Sequence, residues 1–356
     1  MSGDTTAADR SARARRWSAK DLLRRQTTTL VFVVIVGVVV LTVQSSGGFL
    51  SRISIETFFQ FLAIPVVIGL AQMATLAVGQ MNLAVGAIGG FAACLAGILM
   101  ADAGLPVWLG AVVAVLAGLA CGLINGVIVV LTQINGFIVT LATMTILSGV
   151  QYALVGTRTV TSDAWPQLQS LGSARPLGVP LIFWLSLAIA GLLSLAYRHA
   201  LVARKMLASG GNPLAATLSG ISNSRSLIAA HGLSGLLCGV AALLVLCSLP
   251  GVNKSIGGDW LLPSFAAPII GGVALTGGGV AVLGTVLAAT IVRLVDTARA
   301  AFQLDPSWVN LVIGAVVLGT VALGQANRRP KGLVRVRPTG PSRASTSEAT
   351  PTGGVA

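Results

Sequence analysis

Three ionisable side chains, Arg293, Asp296 and Arg299, recur at i,i+3 spacings in the otherwise apolar stretch GTVLAATIVRLVDTAR. That spacing stacks them on one helical face, with Asp296 placed to neutralise Arg293. An ionisable residue within an apolar span is a functional candidate by default. The plainer and preferred reading is an internal ion pair near the end of the span, its stems snorkelling towards water. The remaining polar groups within apolar runs are amides and hydroxyls: Gln72, Gln80, Asn82, Asn125, Thr140, Thr143, Ser148 and Gln151. Such groups exchange hydrogen bonds with a hydroxylated solute without trapping it, which is the chemistry of a conduit. They serve equally to bond helix to helix at about 1 kcal/mol each, the preferred role for most of them singly. His199 and His231 stand apart from any carboxylate or thiol, and Cys94, Cys121, Cys238 and Cys247 lie in apolar runs without metal-ligand spacing. No metal site or catalytic triad is expected, and the cysteines read as buried structural thiols. No G-x-x-x-x-G-K-[ST] run occurs, so the chain does not hydrolyse ATP through a P-loop.

The elements that must carry these residues are apolar and long. Hydrophobic residues make up 54% of the chain and charged residues 9%, and the mean hydropathy is +0.88. Together they specify an all-α polytopic membrane protein. Apolar runs at 28–43, 57–78, 84–100, 106–131, 137–155, 180–197, 224–249, 261–275, 280–298 and 307–325 predict about ten transmembrane helices. The run at 261–275 is short enough for a half-helix or a tilted one. Two connections are tight, Gly-rich and uncharged, VGQMNLAVGAIGG (78–90) and IIGGVALTGGGVAVLGT (269–285). Non-helical backbone at membrane depth is tolerated only against protein or a water-filled cavity, so paired interruptions point towards a translocation path. Ordinary tight turns at the membrane surface remain an equal reading.

Charge sets the expected orientation. The excess of +13 gathers in residues 1–26, in Arg198, Arg204, Lys205 and Arg225, and in the tail from Arg328 to Arg343. The intervening loops on the other side hold only Arg52, Arg158, Arg175, Lys254 and Arg299. The bias places both termini in the cytoplasm and needs no nucleic-acid partner. Trp108, Trp184, Trp260 and Trp308 fall at the outer starts of inward-running spans, as an interfacial belt requires. Asp102, Asp163, Asp259 and Asp305 read as solvated carboxylates of outer loops, with Asp259 and Asp305 also able to meet a basic edge on a docking protein. Three regions follow: a basic cytoplasmic segment 1–26 without a cleavable signal, a transmembrane domain 27–326, and a disordered cytoplasmic tail 327–356.

One polar stretch, RKMLASGGNPLAATLSGIS (204–222), interrupts this pattern on the cytoplasmic side. Asn212 suits a helix cap, Pro213 the first helical position, and Gly220 the stop. With this motif the chain resembles the membrane permease subunits of bacterial ABC importers for ribose, xylose, arabinose and related sugars. The similarity covers about residues 50 to 324. Its anchors, in order, are NLAVGAIGG, GLINGVIVVLTQINGFIVTLATMTILSGV, LGSARPLGVP, ASGGNPLAATLSGIS and GGVALTGGGVAVLGT. The resemblance implies the ABC importer permease fold and a coupling helix formed by Gly210, Gly211, Asn212, Ala215, Ala216, Leu218, Ser219, Gly220 and Ile221. Beside it, the polar residues within the spans, Gln72, Gln80, Asn82, Asn125, Thr140, Thr143 and Gln151, stand as candidates for the path of a sugar.

The same resemblance implies a location in the bacterial inner membrane and three protein partners. These are an ATP-binding subunit that hydrolyses ATP with Mg, an extracytoplasmic solute-binding protein, and a second permease subunit, identical or related. The chain itself would bind no cofactor and catalyse no bond change. It departs from the family pattern at Gln80 and Asn82, where Gly and Asp are usual, at Arg293 and Asp296, and at Pro213. These departures bear on the cargo, or on a heterodimeric permease, more than on the class. Three rivals stand beside this reading. An ion-coupled secondary transporter needs embedded carboxylates, of which Asp296 alone qualifies. A membrane enzyme needs carboxylate or His clusters. A permease for branched-chain amino acids would share the fold.

Overall fold

The computed structural model describes residues 19–161 and 165–303, with isolated positions 305, 311, 314, 315 and 318. The first part of the basic N-terminal segment, Asp163, Trp308, most of the tenth apolar run and the tail 327–356 lie outside the described residues. Among the described residues the protein is all-helical, with one isolated antiparallel bridge between Val160 and Val252. The helices are α1 (Ala19–Gln44), α2 (Arg52–Leu76), α3 (Val85–Ala101), α4 (Val107–Thr132), α5 (Gly136–Val155) and α6 (Trp165–Ser173). They continue with α7 (Leu181–His199), α8 (Leu201–Gly211), α9 (Pro213–Leu218), α10 (Asn223–Ser248), α11 (Leu261–Ile270) and α12 (Val282–Ala301).

Six of these, α1 from Thr27, α2, α4, α5, α7 and α10, are long and apolar enough to cross a membrane. Helix α3 has 17 residues and α11 only 10, about 15 Å of rise, so the short apolar run is a half-helix. Helix α12 has the length but carries Arg293, Asp296 and Arg299.

Helices α2 and α10 form the centre: α10 packs on α4, α2 and α3, and α2 packs on α12, α11 and α7. The α4–α10 crossing is made by glycine. A Cβ on Gly118 would lie 2.6 Å from the Gly239 Cα, and one on Gly235 would lie 2.6 Å from the Gly122 Cα. With no hydrophobic drive between helices in lipid, such backbone approach supplies the van der Waals contact that holds them.

Loop contacts define two ends of the bundle. At one end Glu56 pairs with Arg52 (2.8 Å) and Arg175 (3.1 Å), Asp102 pairs with Arg158 (2.6 Å), and the Trp165 indole donates to Leu249 O. At the other end lie the two interruptions, α8 and α9, with Arg198, Arg204, Lys205 and Arg225. Asp102 is therefore paired rather than simply solvated, because α3 and the chain after α5 end side by side. Asp259 and Asp305 are exposed.

The tryptophans divide. Trp108 and Trp184 are exposed, but Trp260 is 9% exposed and does not join an interfacial belt. Its ring fills the notch left by Gly89, where a Cβ would sit 2.5 Å from the indole. All four cysteines are free thiols; Cys94, Cys238 and Cys247 are buried, while Cys121 is half-buried.

Candidate functional site

Helix α9 has six residues and would not survive alone, since one helical turn does not repay nucleation. Its ends explain its presence. The Asn212 Oδ1 accepts from Ala215 N (3.0 Å), and Pro213 occupies the first helical position. At the other end Ile221 N donates to Ala216 O (2.9 Å) and Gly220 N to Thr217 O (3.0 Å), with Gly220 at φ +77°. That is a Schellman closure, which needs the left-handed residue that glycine supplies. Asn223 then clamps the element: its Nδ2 donates to Pro213 O (2.9 Å) and to the Thr217 Oγ1 (3.0 Å), and its Oδ1 accepts from the Ser209 hydroxyl (2.6 Å). One side chain thus joins α8, α9 and α10.

The outward face of α9 is bare. Leu214 is 73% and Leu218 82% exposed, one helical turn apart, while Ala216 is buried against the body. Ala215 and Ser219 are exposed beside them, and Arg204 and Lys205 are exposed on α8. Two unpartnered leucines on a capped polar turn form a knob, with adjoining positive charge able to orient a partner.

Each sequence-derived path candidate is engaged by protein. Gln80 Oε1 accepts from Gly136 N (2.9 Å), satisfying a free N–H at the start of α5. Asn82 accepts from Ala84 N through Oδ1 (2.9 Å) and donates to the Ser234 Oγ (3.0 Å). Thr140 donates to Gly136 O (2.7 Å) and accepts from Leu83 N (3.1 Å). The Gln72 amide, oriented by its surroundings, donates to Asn82 O (2.8 Å) and accepts from Asn82 N (3.2 Å). The first interruption is thereby fastened to α2, α5 and α10. Thr143 donates to the Asn125 Oδ1 (2.6 Å). Gln151 donates to Ile256 O (3.1 Å) and Lys254 O (3.3 Å) at the opposite end. Five of these seven, Gln72, Asn82, Asn125, Thr140 and Gln151, are buried within the single chain, and only Gln80 and Thr143 are part-exposed.

The charged triplet of α12 is an ion-pair chain. Arg293 binds one Asp296 oxygen and Arg299 the other (3.4 Å), and the Arg293 guanidinium lies 5.3 Å from the Phe61 ring centroid. Arg293 and Asp296 face a cleft of about 480 Å³ that they share with Ser45, Phe49, Thr57 and Phe58. The stem of Arg293 is largely enclosed and its Nε has no partner among the described residues.

Sequence reasoning passed over several residues. Leu214 carries no sequence signal beyond helix propensity, and its exposure is set by the fold. Asn223 and Ser234 are, by sequence, ordinary polar residues of the α10 span. His231, isolated in the sequence, is fully buried, with both ring nitrogens unpartnered among the described residues; it packs against Gly126 at the α4–α10 crossing. Among the described residues no group of three or more His, Cys, Asp or Glu is placed to hold a metal ion.

Comparison with known proteins gives the family of the chain. The family described as "Branched-chain amino acid transport system / permease component" matches residues 54–321. The chain is 29% identical to the L-arabinose ABC transporter permease protein AraH of Azospirillum brasilense, covering 94% of this chain and 96% of that protein. It is 26% identical to the ribose import permease protein RbsC of Haemophilus influenzae, covering 81% and 89%. It is 27% identical to the autoinducer 2 import system permease protein LsrC of Escherichia coli, covering 83% and 86%. No solved structure matches the chain.

Proposed function

The chain belongs to the family of branched-chain amino acid transport system permease components and is a multi-pass protein of the bacterial inner membrane; from that premise we propose that it forms the membrane path of an ATP-driven importer for a sugar or sugar-like solute. Helix α9 is the element through which a separate ATP-binding subunit acts. An extracytoplasmic binding protein delivers the cargo to the opposite end, and a second permease, identical or related, completes the path. The spans number about ten, with both termini cytoplasmic, a basic segment at 1–26, a membrane domain at 27–326 and a cytoplasmic tail at 327–356. The chain performs no bond chemistry and binds no cofactor of its own; alternating access is its mechanism.

The observation that carries this reading is the knob of Leu214 and Leu218, held at both ends by caps and exposed at 73% and 82%. A short helix so firmly closed, with its large apolar groups turned outward, is built to be pressed upon by another protein. The sugar class rests on relatives whose names specify ribose, L-arabinose, fructose and autoinducer 2.

Purification of the tagged chain from its native membrane in mild detergent, with mass spectrometry of co-purifying proteins, tests the assembly. A stoichiometric P-loop ATPase that is lost on Leu214→Asp with Leu218→Asp supports the reading. A chain that emerges alone and moves solute down an ion gradient refutes it. The ion-coupled alternative is weakened by Asp296, whose carboxylate is occupied by two arginines. The branched-chain amino acid alternative retains one support, the description of the family itself. An uptake panel of pentoses, hexoses, polyols, sugar acids and leucine separates the cargo classes.

A further inference from the structure

We infer that Gly210 is the positioning residue that joins the α9 element to both interrupted segments, so that the two interruptions shift together when α9 is displaced. The inference rests on the reading of α9 as the ATPase-docking helix.

Three stretches of backbone meet at the last turn of α8. Gly210 is buried there, and a Cβ on it would overlap the Ala77 carbonyl and lie 2.8 Å from the Val78 Cα, at the end of α2 where the first interruption begins. The second interruption touches the same point. A Cβ on Gly277 would lie 2.6 Å from Gly79 N and 2.9 Å from Gly210 O, and one on Gly278 would lie 2.6 Å from the Gly211 Cα. Gly278 N donates to Ala77 O at 3.0 Å, so the interruptions are also bonded to each other. Gly277 and Gly278 both have φ above +80°, which keeps side chains out of the joint.

Contacts of this kind transmit displacement. A side-chain interface can absorb a small shift by changing rotamers, whereas touching backbones have no such freedom. Gly210 is two residues from the Asn212 cap, and Asn223 bonds both α8 and α9, so little slack lies between knob and joint. A push on Leu214 and Leu218 therefore reaches Ala77, Gly79, Gly277 and Gly278 through one short rigid lever. Gly191 on α7, away from this joint, is a natural control: no atom lies within 4 Å of a Cβ added there.

The test uses the full-length chain purified with its ATPase subunit in lipid nanodiscs. Single cysteine probes replace Met81 in the first interruption and Thr276 in the second. Maleimide labelling rates are compared with and without Mg-ATP and vanadate, after subtracting the background of the native thiols. Both probes are expected to change rate severalfold over one nucleotide concentration range. Gly210→Ala should abolish both responses while the ATPase remains bound, and Gly191→Ala should preserve them. A response at only one probe in the otherwise unaltered chain overturns the inference, as do responses that persist in Gly210→Ala. Should Gly210→Ala fail to assemble, the paired probes in the unaltered background decide by themselves. Absence of any ATPase from that complex overturns the docking reading and this inference with it. A bound ATPase with unlinked probes overturns the inference alone.

Discussion

Asn82 and Ser234 stand 152 positions apart and meet at 3.0 Å in a fully buried pair, the Asn82 amide donating to the Ser234 hydroxyl. The bond pins the non-helical backbone of the first interruption to the central helix α10. An amide rather than a carboxylate at this place leaves the interruption uncharged, while its oxygen still accepts from Ala84 N. Gln80 and Asn82 thus serve to fasten the interruption.

The Asn82–Ser234 pair gives the first prediction. Asn82→Ala and Ser234→Ala each lower stability, and a double-mutant cycle returns a coupling of about 1 kcal/mol, the usual scale for polar pairs between membrane helices. Thermal unfolding in detergent measures it. Coupling indistinguishable from zero would mean the pair is incidental.

Glycine at the α4–α10 crossing gives a second. Gly235→Leu forces a side chain against Gly118 and Gly122, where only backbone is available to yield. The expected result is loss of monodisperse protein on size exclusion, overpacking there costing more than the usual 1–3 kcal/mol. Gly191→Ala on α7 is the control: no atom lies within 4 Å of its added Cβ, so the variant should match or slightly exceed the parent stability.

The caps of α9 give a third. Asn212→Ala removes the acceptor for Ala215 N and should weaken the element by about 1 kcal/mol, with Asn212→Ser restoring most of it. Gly220→Ala places a Cβ at φ +77° and should cost about 1–2 kcal/mol locally. Both should speed amide exchange in residues 213–221 and slow ATP-driven uptake, while the unfolding of the membrane domain is unchanged. Unaltered exchange would sink the argument that caps hold this helix.

The ion pairs of α12 give a fourth. Asp296→Asn leaves Arg293 enclosed beside Arg299 without a counter-charge and should destabilise the protein by about 1–3 kcal/mol, less than a fully buried pair because Asp296 is 36% exposed. Replacing Arg293 and Asp296 together by leucine should recover most of that loss. Uptake by the unaltered transporter should persist when an ionophore collapses proton and sodium gradients. Collapse of uptake under those conditions would return Asp296 to the role of a coupling carboxylate.

What the sequence alone determined was local. Apolar runs long enough to cross a bilayer, a run at 261–275 too short for an upright span, and the cap residues Asn212, Pro213 and Gly220 could all be read in advance. Each depends on residues within a few positions of one another, so the physics is complete within the segment. Tertiary structure decided everything whose partner lies elsewhere in the chain. Trp260 left the expected belt because Gly89, on another helix, offers its ring a notch. Gln80 and Asn82 are spent on Gly136 and Ser234. The meeting of Gly210 with Ala77 and Gly277 joins three segments that no spacing connects. In lipid, polar and backbone groups find no water, so each must be satisfied within the protein, and only the packed fold specifies by which groups.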